Sequence, residues 1–234
     1  MNITPRKLYN ILYKHFGKTN WWPTDYEYHK KIGSDPRFEV IVGAILTQNA
    51  AWSNVEKALE NLKSEGLLDV KKISKIDIGK LKEIIRPTGF FNQKAKRLKN
   101  LSEYLENKYE GNLDKFLKRN LGKLREELLT LNGVGPETAD SILLYAGNLP
   151  IFVVDAYTKR LCNRLQIDIN PTYYDIQDYF QKDLLKKYKK SEISKIYNEL
   201  HALIVILAKN YCKSRPDCSN CPLEKICIYK KQLS

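Results

Sequence analysis

Apolar residues recur at three- and four-residue intervals along most of the chain, which is the spacing of one buried helix face. The segment from Phe38 to Leu46 is apolar on nearly all sides and predicts a central, buried helix. Alternation typical of a strand does not extend beyond Ile151–Val154. The pattern therefore predicts an all-α fold, with helices over about 5–16, 37–49, 52–64, 78–85, 93–108, 113–119, 122–131, 136–146, 155–166, 173–188 and 191–210.

The length of 234 residues suits one or two compact domains. Hydrophobic residues make up 43% and charged residues 29%, which is typical of a globular protein rather than a disordered one. The longest apolar runs fall short of the roughly 20 residues that cross a bilayer, so no membrane association is expected. The N-terminal segment lacks the apolar stretch of a signal peptide, which predicts a cytoplasmic protein.

The chain is strongly basic, with 40 Lys and Arg against 27 Asp and Glu and a formal net charge of +13. An excess of this size favours a polyanionic partner, and nucleic acid is the first candidate. A generally basic proteome or a solvated basic face would give the same composition, so charge alone leaves both interpretations open.

A tight turn interrupts the helical pattern between about residues 122 and 147. One predicted helix ends at Leu131, and Gly133-Val134-Gly135 precedes a second helix that begins at Pro136. Glycine reaches backbone angles closed to other residues, and proline is well tolerated at the first helical position. Backbone N–H groups at such a helix start bind phosphate, although an ordinary helix–turn–helix connection has the same local pattern.

Four cysteines cluster near the C-terminus with the spacing C-x5-C-x2-C-x5-C: Cys212, Cys218, Cys221 and Cys227. In a cytoplasmic protein such a group indicates metal ligands rather than disulfides. Zinc and an iron–sulfur cluster both accept four thiolates.

The run from Leu131 to Asp140, followed by Val153-Val154-Asp155, resembles the helix-hairpin-helix and Gly/Pro-Asp signature of the endonuclease III superfamily of DNA glycosylases. Gly43–Asn49, Gly89–Ala95 and Arg160–Arg164 resemble further segments of that family, in the same order. The resemblance implies a two-domain helix-hairpin-helix glycosylase fold. It places a six-helix barrel at 37–150, and a second domain, made of 1–36 and 151–234, that carries a [4Fe–4S] cluster in the loop 212–227. Family members usually have six residues between the first two cysteines, and five here keep zinc as the alternative.

The resemblance also implies that Asp155 is the catalytic carboxylate, at the base of a cleft that holds double-stranded DNA with a damaged base. A fixed carboxylate stabilises the positive charge that the sugar gains when its bond to the base breaks, and it can orient a water. The competing interpretation is that Asp155 only caps the helix that follows. No obligate protein partner is expected, and the location would be the nucleoid.

Family members that also cleave the strand carry a lysine where this chain has Glu137. A glutamate cannot form a Schiff base, which predicts a monofunctional enzyme that leaves an abasic site. Among family members, the 3-methyladenine branch is the most similar, through its Trp-Trp-Pro element and its glutamate. The expected substrate is therefore an N-alkylated purine, whose positive charge an indole face attracts.

The resemblance also gives the remaining site assignments. Trp21 and Trp22 would form the floor of the base pocket, with Phe38 and Glu137 as further lining, although packing of an N-terminal arm explains the tryptophans as well. The predicted DNA contacts are Gln48, Phe90 and Phe91, which would probe the gap left by the flipped base, and Gly133, Val134 and Gly135 at the phosphates.

Three alternatives remain open from the sequence. A glycosylase for uracil or thymine in mismatches, or for hypoxanthine, would need a pocket that hydrogen-bonds a neutral base. A bifunctional glycosylase and abasic-site lyase would need another amine in place of Glu137. A non-catalytic DNA-binding module would fit if Asp155 were a helix cap and nothing more.

Overall fold

The computed structural model describes residues 3–233, and within them it contains α-helices, two short helical turns and no strand. The all-α prediction is confirmed. The helices are α1 (Pro5–Phe16), α2 (Tyr26–Ile32), α3 (Pro36–Leu46), α4 (Trp52–Ser64), α5 (Val70–Lys75), α6 (Ile78–Ile84), α7 (Phe91–Tyr109), α8 (Leu113–Leu117), α9 (Leu121–Leu129), α10 (Pro136–Ser141), α11 (Ala156–Arg164), α12 (Tyr173–Leu185), α13 (Ile193–Asn210) and α14 (Ile228–Leu233). A 3₁₀ turn spans Arg86–Thr88, and a π-helical turn, Ile142–Ala146, continues α10. No helix of the described residues is long and apolar enough to cross a membrane.

The chain forms two compact units. The central unit is Trp22–Gly147, and the terminal unit combines the residues up to Trp21 with those from Asn148 onward. The sequence placed residues 22–36 with the chain ends, whereas the structure groups them with the central unit. The reason is local packing: the Trp22 ring lies 5.3 Å from that of Trp52 and 5.2 Å from that of Tyr145, measured between centroids.

The core of the central unit is α3, as the uniformly apolar segment predicted. Every residue from Phe38 to Leu46 is buried, and the helix packs against α4, α7 and α10. The side chain of Asp35 caps its start by accepting a hydrogen bond from Arg37 N–H. The helix ends at Leu46 rather than at 49 as expected, because Thr47 closes it and Asn49 takes a left-handed backbone conformation, with φ +51°.

The core of the terminal unit is α13, an 18-residue helix that packs against α1 and α11. Side-chain contacts also join the two ends of the chain within this unit. Arg6 forms an ion pair with Asp183 at 3.1 Å, and Thr19 N–H donates to Glu199 at 2.6 Å. These contacts explain how a discontinuous sequence builds one unit.

The apolar pattern did not predict three helices, α2, α5 and α14, which have only six or seven residues each. Two turns give only a weak 3.6-residue period, so the N-terminal cap is the better signal for α2 and α5. Asp25 caps α2 through Tyr28 N–H, and Asp69 caps α5 through Lys72 N–H.

Candidate functional site

The predicted hairpin is formed by α9, the turn at 130–135 and α10. Gly133 has φ +80°, a backbone conformation that favours glycine, and a Cβ added there would meet the flexible side chain of Arg97. Val134 is buried, whereas Gly135 is exposed and provides the N-cap of α10 without a side chain. The turn therefore presents backbone, rather than side chains, at the start of α10.

Gln48 braces this turn. Its Nε2 donates to the carbonyl of Gly133 and to Oγ1 of Thr138, both at 2.9 Å, and Arg97 donates to its Oε1. The side chain predicted to probe a gap in DNA is thus engaged by the hairpin in this structure. Arg97 was not identified from the sequence. It supports the hairpin turn through its hydrogen bond to Gln48 and its position beside Gly133.

A buried ion pair joins the two hairpin helices. Arg125 on α9 donates from Nε and Nη2 to the two carboxylate oxygens of Asp140 on α10, at 2.7 and 3.1 Å, and Asp140 is fully buried. The bidentate geometry fixes orientation as well as distance between the helices.

The two phenylalanines of the segment Gly89-Phe90-Phe91, for which the sequence predicted the same role, differ in the structure. Phe90 is 65% exposed and has φ +47°, an unfavourable conformation for an aromatic residue. Phe91 is half-buried, with the Arg86 guanidinium 5.8 Å from its ring centroid. Phe90 is therefore the aromatic side chain that this segment presents to solvent.

Lys94 holds the same segment in place through a buried amine. Its buried Nζ donates to the carbonyls of Leu46 and Thr88, at 2.8 Å each, and so joins the end of α3 to the turn before α7. Burial, and to a lesser degree the charge of Arg97, lowers the pKa of Lys94 to about 8.

The predicted pocket residues differ in how deeply they are buried. Trp22 is half-buried above Gly43, where an added Cβ would lie 2.6 Å from Cζ2 of Trp22. Phe38 is fully buried in the core of the central unit, which is a packing position rather than an exposed wall. Trp21 is half-buried and Glu137 is exposed. Trp52 and Tyr145, which the sequence did not single out, complete an aromatic cluster with Trp22.

Asp155 caps α11 and also presents a second oxygen. Its Oδ1 accepts hydrogen bonds from the N–H of Thr158 at 2.7 Å and from the Thr158 hydroxyl at 2.8 Å. Its Oδ2 lies 3.5 Å from Nε2 of His201 on α13. Burial raises the pKa of Asp155, but the charge of His201 and the two hydrogen bonds from Thr158 outweigh this effect, so the pKa is lowered. The carboxylate is therefore ionised at neutral pH.

All four clustered cysteines line one cavity of the terminal unit, together with Arg164 and Leu223. Arg164 donates to Sγ of Cys212 at 3.1 Å and to the carbonyls of Lys213 and Ser214, so it organises the loop. Within residues 3–233, no three Cys, His, Asp or Glu side chains form a group that could hold a metal ion as they stand. The convergence of four thiols on one cavity nevertheless fits a group with four cysteine ligands.

Cys162 is separate from that loop. It is a buried thiol on α11, and burial raises its pKa to about 12. A neutral, buried thiol is an inert core residue.

Comparison with known proteins gives concordant matches. Residues 42–186 match the HhH-GPD superfamily of base excision DNA repair proteins. A putative DNA repair glycosylase of Methanocaldococcus jannaschii is 48% identical over 96% of both chains, and the endonuclease III of Sulfolobus acidocaldarius is 30% identical over 82% of both. The structure of an H. pylori 3-methyladenine DNA glycosylase bound to 1,N6-ethenoadenine has a TM-score of 0.72 and 29% identity, covering 88% of this chain and 98% of that one. An endonuclease III–DNA complex shares the fold, with a TM-score of 0.71 at 23% identity and coverage of 99% and 98%.

Proposed function

Because the chain belongs to the HhH-GPD superfamily of base excision DNA repair proteins, we propose that it is a monofunctional DNA glycosylase that removes an N-alkylated purine from double-stranded DNA. The observation that carries the proposal is the state of Asp155. The signature aspartate is held by Thr158 through one oxygen, is kept ionised, and has a second oxygen directed at His201. The helix-cap interpretation explains the hydrogen bonds from Thr158 but not the contact with His201.

The proposed reaction breaks the bond between the sugar C1′ and the base nitrogen. The base leaves with the bonding electrons, the sugar gains oxocarbenium character, and a water oxygen adds to C1′ with loss of one proton. An ionised Asp155 stabilises the developing positive charge, and its carboxylate is the acceptor for the water proton. An alkylated purine already carries positive charge and is a good leaving group, so no lysine nucleophile is needed.

The lack of strand cleavage rests on Glu137, which stands exposed in the first turn of α10 where strand-cleaving members carry lysine. Lys94 is a poor substitute, because its amine is buried and bonded to two backbone carbonyls of the central unit. The preference for alkylated bases is supported by the similarity to the H. pylori 3-methyladenine glycosylase and by the aromatic cluster of Trp22, Trp52 and Tyr145.

We further propose that the DNA contacts are made by the hairpin turn and by Phe90. The turn presents the backbone of Gly133 and Gly135 beside the start of α10, and a phosphate is the ligand that such groups bind. Phe90 is exposed and held in an unfavourable conformation, which is typical of a side chain kept for a functional contact. Such an enzyme would act at the nucleoid, where its substrate is.

The cysteine loop completes the proposal. The four cysteines that line one cavity would hold a [4Fe–4S] cluster, with zinc as the alternative, and the cluster would serve as a structural staple between α13 and α14. Arg164 would lie against this group, since it donates to Sγ of Cys212.

The test is base release from a panel of duplexes with alkylated, deaminated or mismatched bases, with wild-type protein and Asp155→Asn. We expect wild type to release N-methylpurines, and Asp155→Asn to bind the same duplexes without releasing a base, because the negative charge is lost while the size of the side chain is kept. Wild-type rates from Asp155→Asn would contradict the catalytic role. Preferential release of uracil, thymine or hypoxanthine would assign the enzyme to a different substrate class.

A further inference from the structure

His201 occupies an unusual position for a histidine on the long core helix of the terminal unit. The residue is buried, and its Nε2 lies 3.5 Å from Oδ2 of Asp155. Phe152 packs against the imidazole at an interplanar angle of 84°, with the ring centroids 6.3 Å apart. The ring plane is therefore held by packing, with one nitrogen directed at the carboxylate.

The two oxygens of Asp155 have separate partners. Oδ1 accepts both hydrogen bonds from Thr158, while Oδ2 faces His201. A carboxylate can only accept hydrogen bonds, so the contact is attractive only if Nε2 of His201 carries a proton. Thr158 fixes one oxygen, and the histidine is then the group that fixes the rotation of the carboxylate plane.

Helix capping does not account for this arrangement. Asp69 and Asp77 cap α5 and α6 by the same contact to the N–H three residues along, from half-buried and exposed positions. A cap thus requires neither burial nor a facing histidine in this protein. Burying an ionised carboxylate beside a histidine is unfavourable for stability unless the pair is well matched, and such pairs are concentrated at functional sites.

We propose that His201 is a positioning residue for Asp155, whose Nε2–H holds Oδ2 in the orientation that base release requires. This inference rests on the proposed function, since it assigns a task only if Asp155 acts on the sugar. It adds a residue from α13, distant in sequence from the signature that identified Asp155.

The test uses two matched pairs of variants in the full-length protein. His201→Gln keeps a side-chain N–H of similar reach, whereas His201→Phe keeps a ring without a donor. His201→Met has the length of glutamine without its N–H, so Gln and Met provide the same comparison if the Phe variant does not fold. Tyr197→Phe is the control, because Tyr197 lies one turn earlier on α13 and also packs against Phe152, without facing Asp155.

Single-turnover base release is measured on a duplex that contains an N-methylpurine, and affinity is measured separately on a duplex with a tetrahydrofuran abasic-site analogue. We expect Phe and Met to slow base release by roughly 10- to 100-fold, the effect of one hydrogen bond to a charged group, with unchanged affinity. Gln should restore most of the rate, and Tyr197→Phe should match wild type. In an Asp155→Asn background, His201→Phe should cause no further loss.

Two results would overturn the positioning role. Equal loss of rate in the Gln, Phe and Met variants would show that the imidazole matters only for packing, and wild-type rates in all three would show that the contact has no influence on the reaction. If Asp155→Asn itself keeps the wild-type rate, the catalytic assignment fails and the role of His201 fails with it. Loss of activity in Asp155→Asn with full activity in the histidine variants overturns the inference about His201 alone.

Discussion

At the scale of single residues, the proposed absence of strand cleavage depends on Glu137. It lies in the first turn of α10, beyond the turn that Gly133 makes possible, and its side chain is exposed. A lysine here could attack the sugar as an amine, whereas a carboxylate leaves the sugar to water. The difference is one of chemistry rather than fold, because proline at the preceding position starts the helix equally well for either side chain.

We therefore expect no covalent adduct when the wild-type protein is mixed with substrate duplex and borohydride, and strand breaks only after alkali or heat. Glu137→Gln serves as the matched variant, because it removes the charge without supplying an amine and should also form no adduct. Gel electrophoresis of the trapped mixture measures both outcomes. Efficient trapping by the wild-type protein would mean that another lysine acts as nucleophile, and the monofunctional assignment would be wrong.

Lys94 makes stability depend on pH. Burial lowers its pKa from 10.5 to about 8 in the native protein, while the unfolded chain keeps the ordinary value. Below about pH 8 both states carry the proton and the unfavourable burial of the charge is constant. Between about pH 8 and 10.5 only the unfolded state keeps it, so the contribution of Lys94 to stability rises with pH by at most about 1.4 kcal/mol per unit.

The measurement is the free energy of unfolding in urea at several values between about pH 7 and 10, for wild type and Lys94→Met. We expect the difference, wild type minus variant, to rise with pH, chiefly above 8, by roughly 2.5 kcal/mol between about pH 7 and 10. Subtracting the variant's free energy from that of wild type removes the opposite pH trend that buried tyrosines contribute to both proteins. Burial raises the pKa of Tyr9, for example, to about 12. A difference that stays flat over this interval would show that Lys94 keeps its proton in the native state.

At the scale of elements, the sequence predicted the long helices well and their ends less well. The apolar period located α3 and α13, whose buried faces are long enough to establish it. The apolar period extended α3 to residue 49, because it does not distinguish the last turn of a helix from a following turn that is packed just as closely. Thr47 and Asn49 end the helix through backbone geometry, and the buried amine of Lys94 occupies the carbonyl of Leu46.

The candidate site shows the same limit. Motifs singled out Asp155 and Gly133, since the proposed chemistry needs a carboxylate and a φ of +80° favours glycine. Arg97 and His201 were assigned no role in the site, because each acquires its role from a contact made far along the chain, to Gln48 and to Asp155. Such partners follow from tertiary packing, and a single sequence carries no signal for them apart from an unexplained charged or titratable residue on a helix.

The loop between α13 and α14 provides the prediction at this scale. Its four cysteines line one cavity and Arg164 holds its backbone, so a bound group would be the main connection between its parts. We expect the purified protein to be brown and to contain about four iron atoms per chain, as one [4Fe–4S] cluster requires. Cys218→Ser should lose iron and thermal stability together, because binding free energy at such sites is folding free energy.

Cys162→Ser is the matched control, because this cysteine lies outside the loop, on α11, and should leave the iron content unchanged. Metal analysis and the visible spectrum distinguish the two metals. A colourless preparation with one zinc per chain would assign the loop to zinc, and a metal-free wild-type protein of unchanged stability would show that the cysteines hold no metal.

At the scale of the whole molecule, two properties bear on the proposed function: the division into two units, one of which combines both chain ends, and the net charge. The sequence predicted a central domain between two chain ends because the family resemblance supplied it, and the aromatic contacts of Trp22 explain why the structure begins the central unit earlier. The net charge of +13 already counts every carboxylate, but not all of the 40 lysines and arginines are available to phosphates. Some of them are engaged in surface pairs such as Lys115–Glu110, Lys118–Asp114 and Lys182–Asp178, which contribute little to stability.

The excess of positive charge predicts how DNA binding depends on salt. Each phosphate that a lysine or arginine neutralises releases counterions, and the logarithm of the binding constant falls with the logarithm of salt concentration by about 0.9 per contact. About five such contacts would give a slope near −4.5 for an undamaged duplex, measured by fluorescence anisotropy from about 50 to 200 mM salt.

Single-turnover base release at saturating protein should stay constant over the same range, because the bond to the base breaks inside the bound complex. Asp155→Asn is the control, since its effect should fall on base release and leave the slope unchanged. A slope near zero would contradict a phosphate-based interface, and the excess of lysine and arginine would then be a solvated surface with no role in binding DNA.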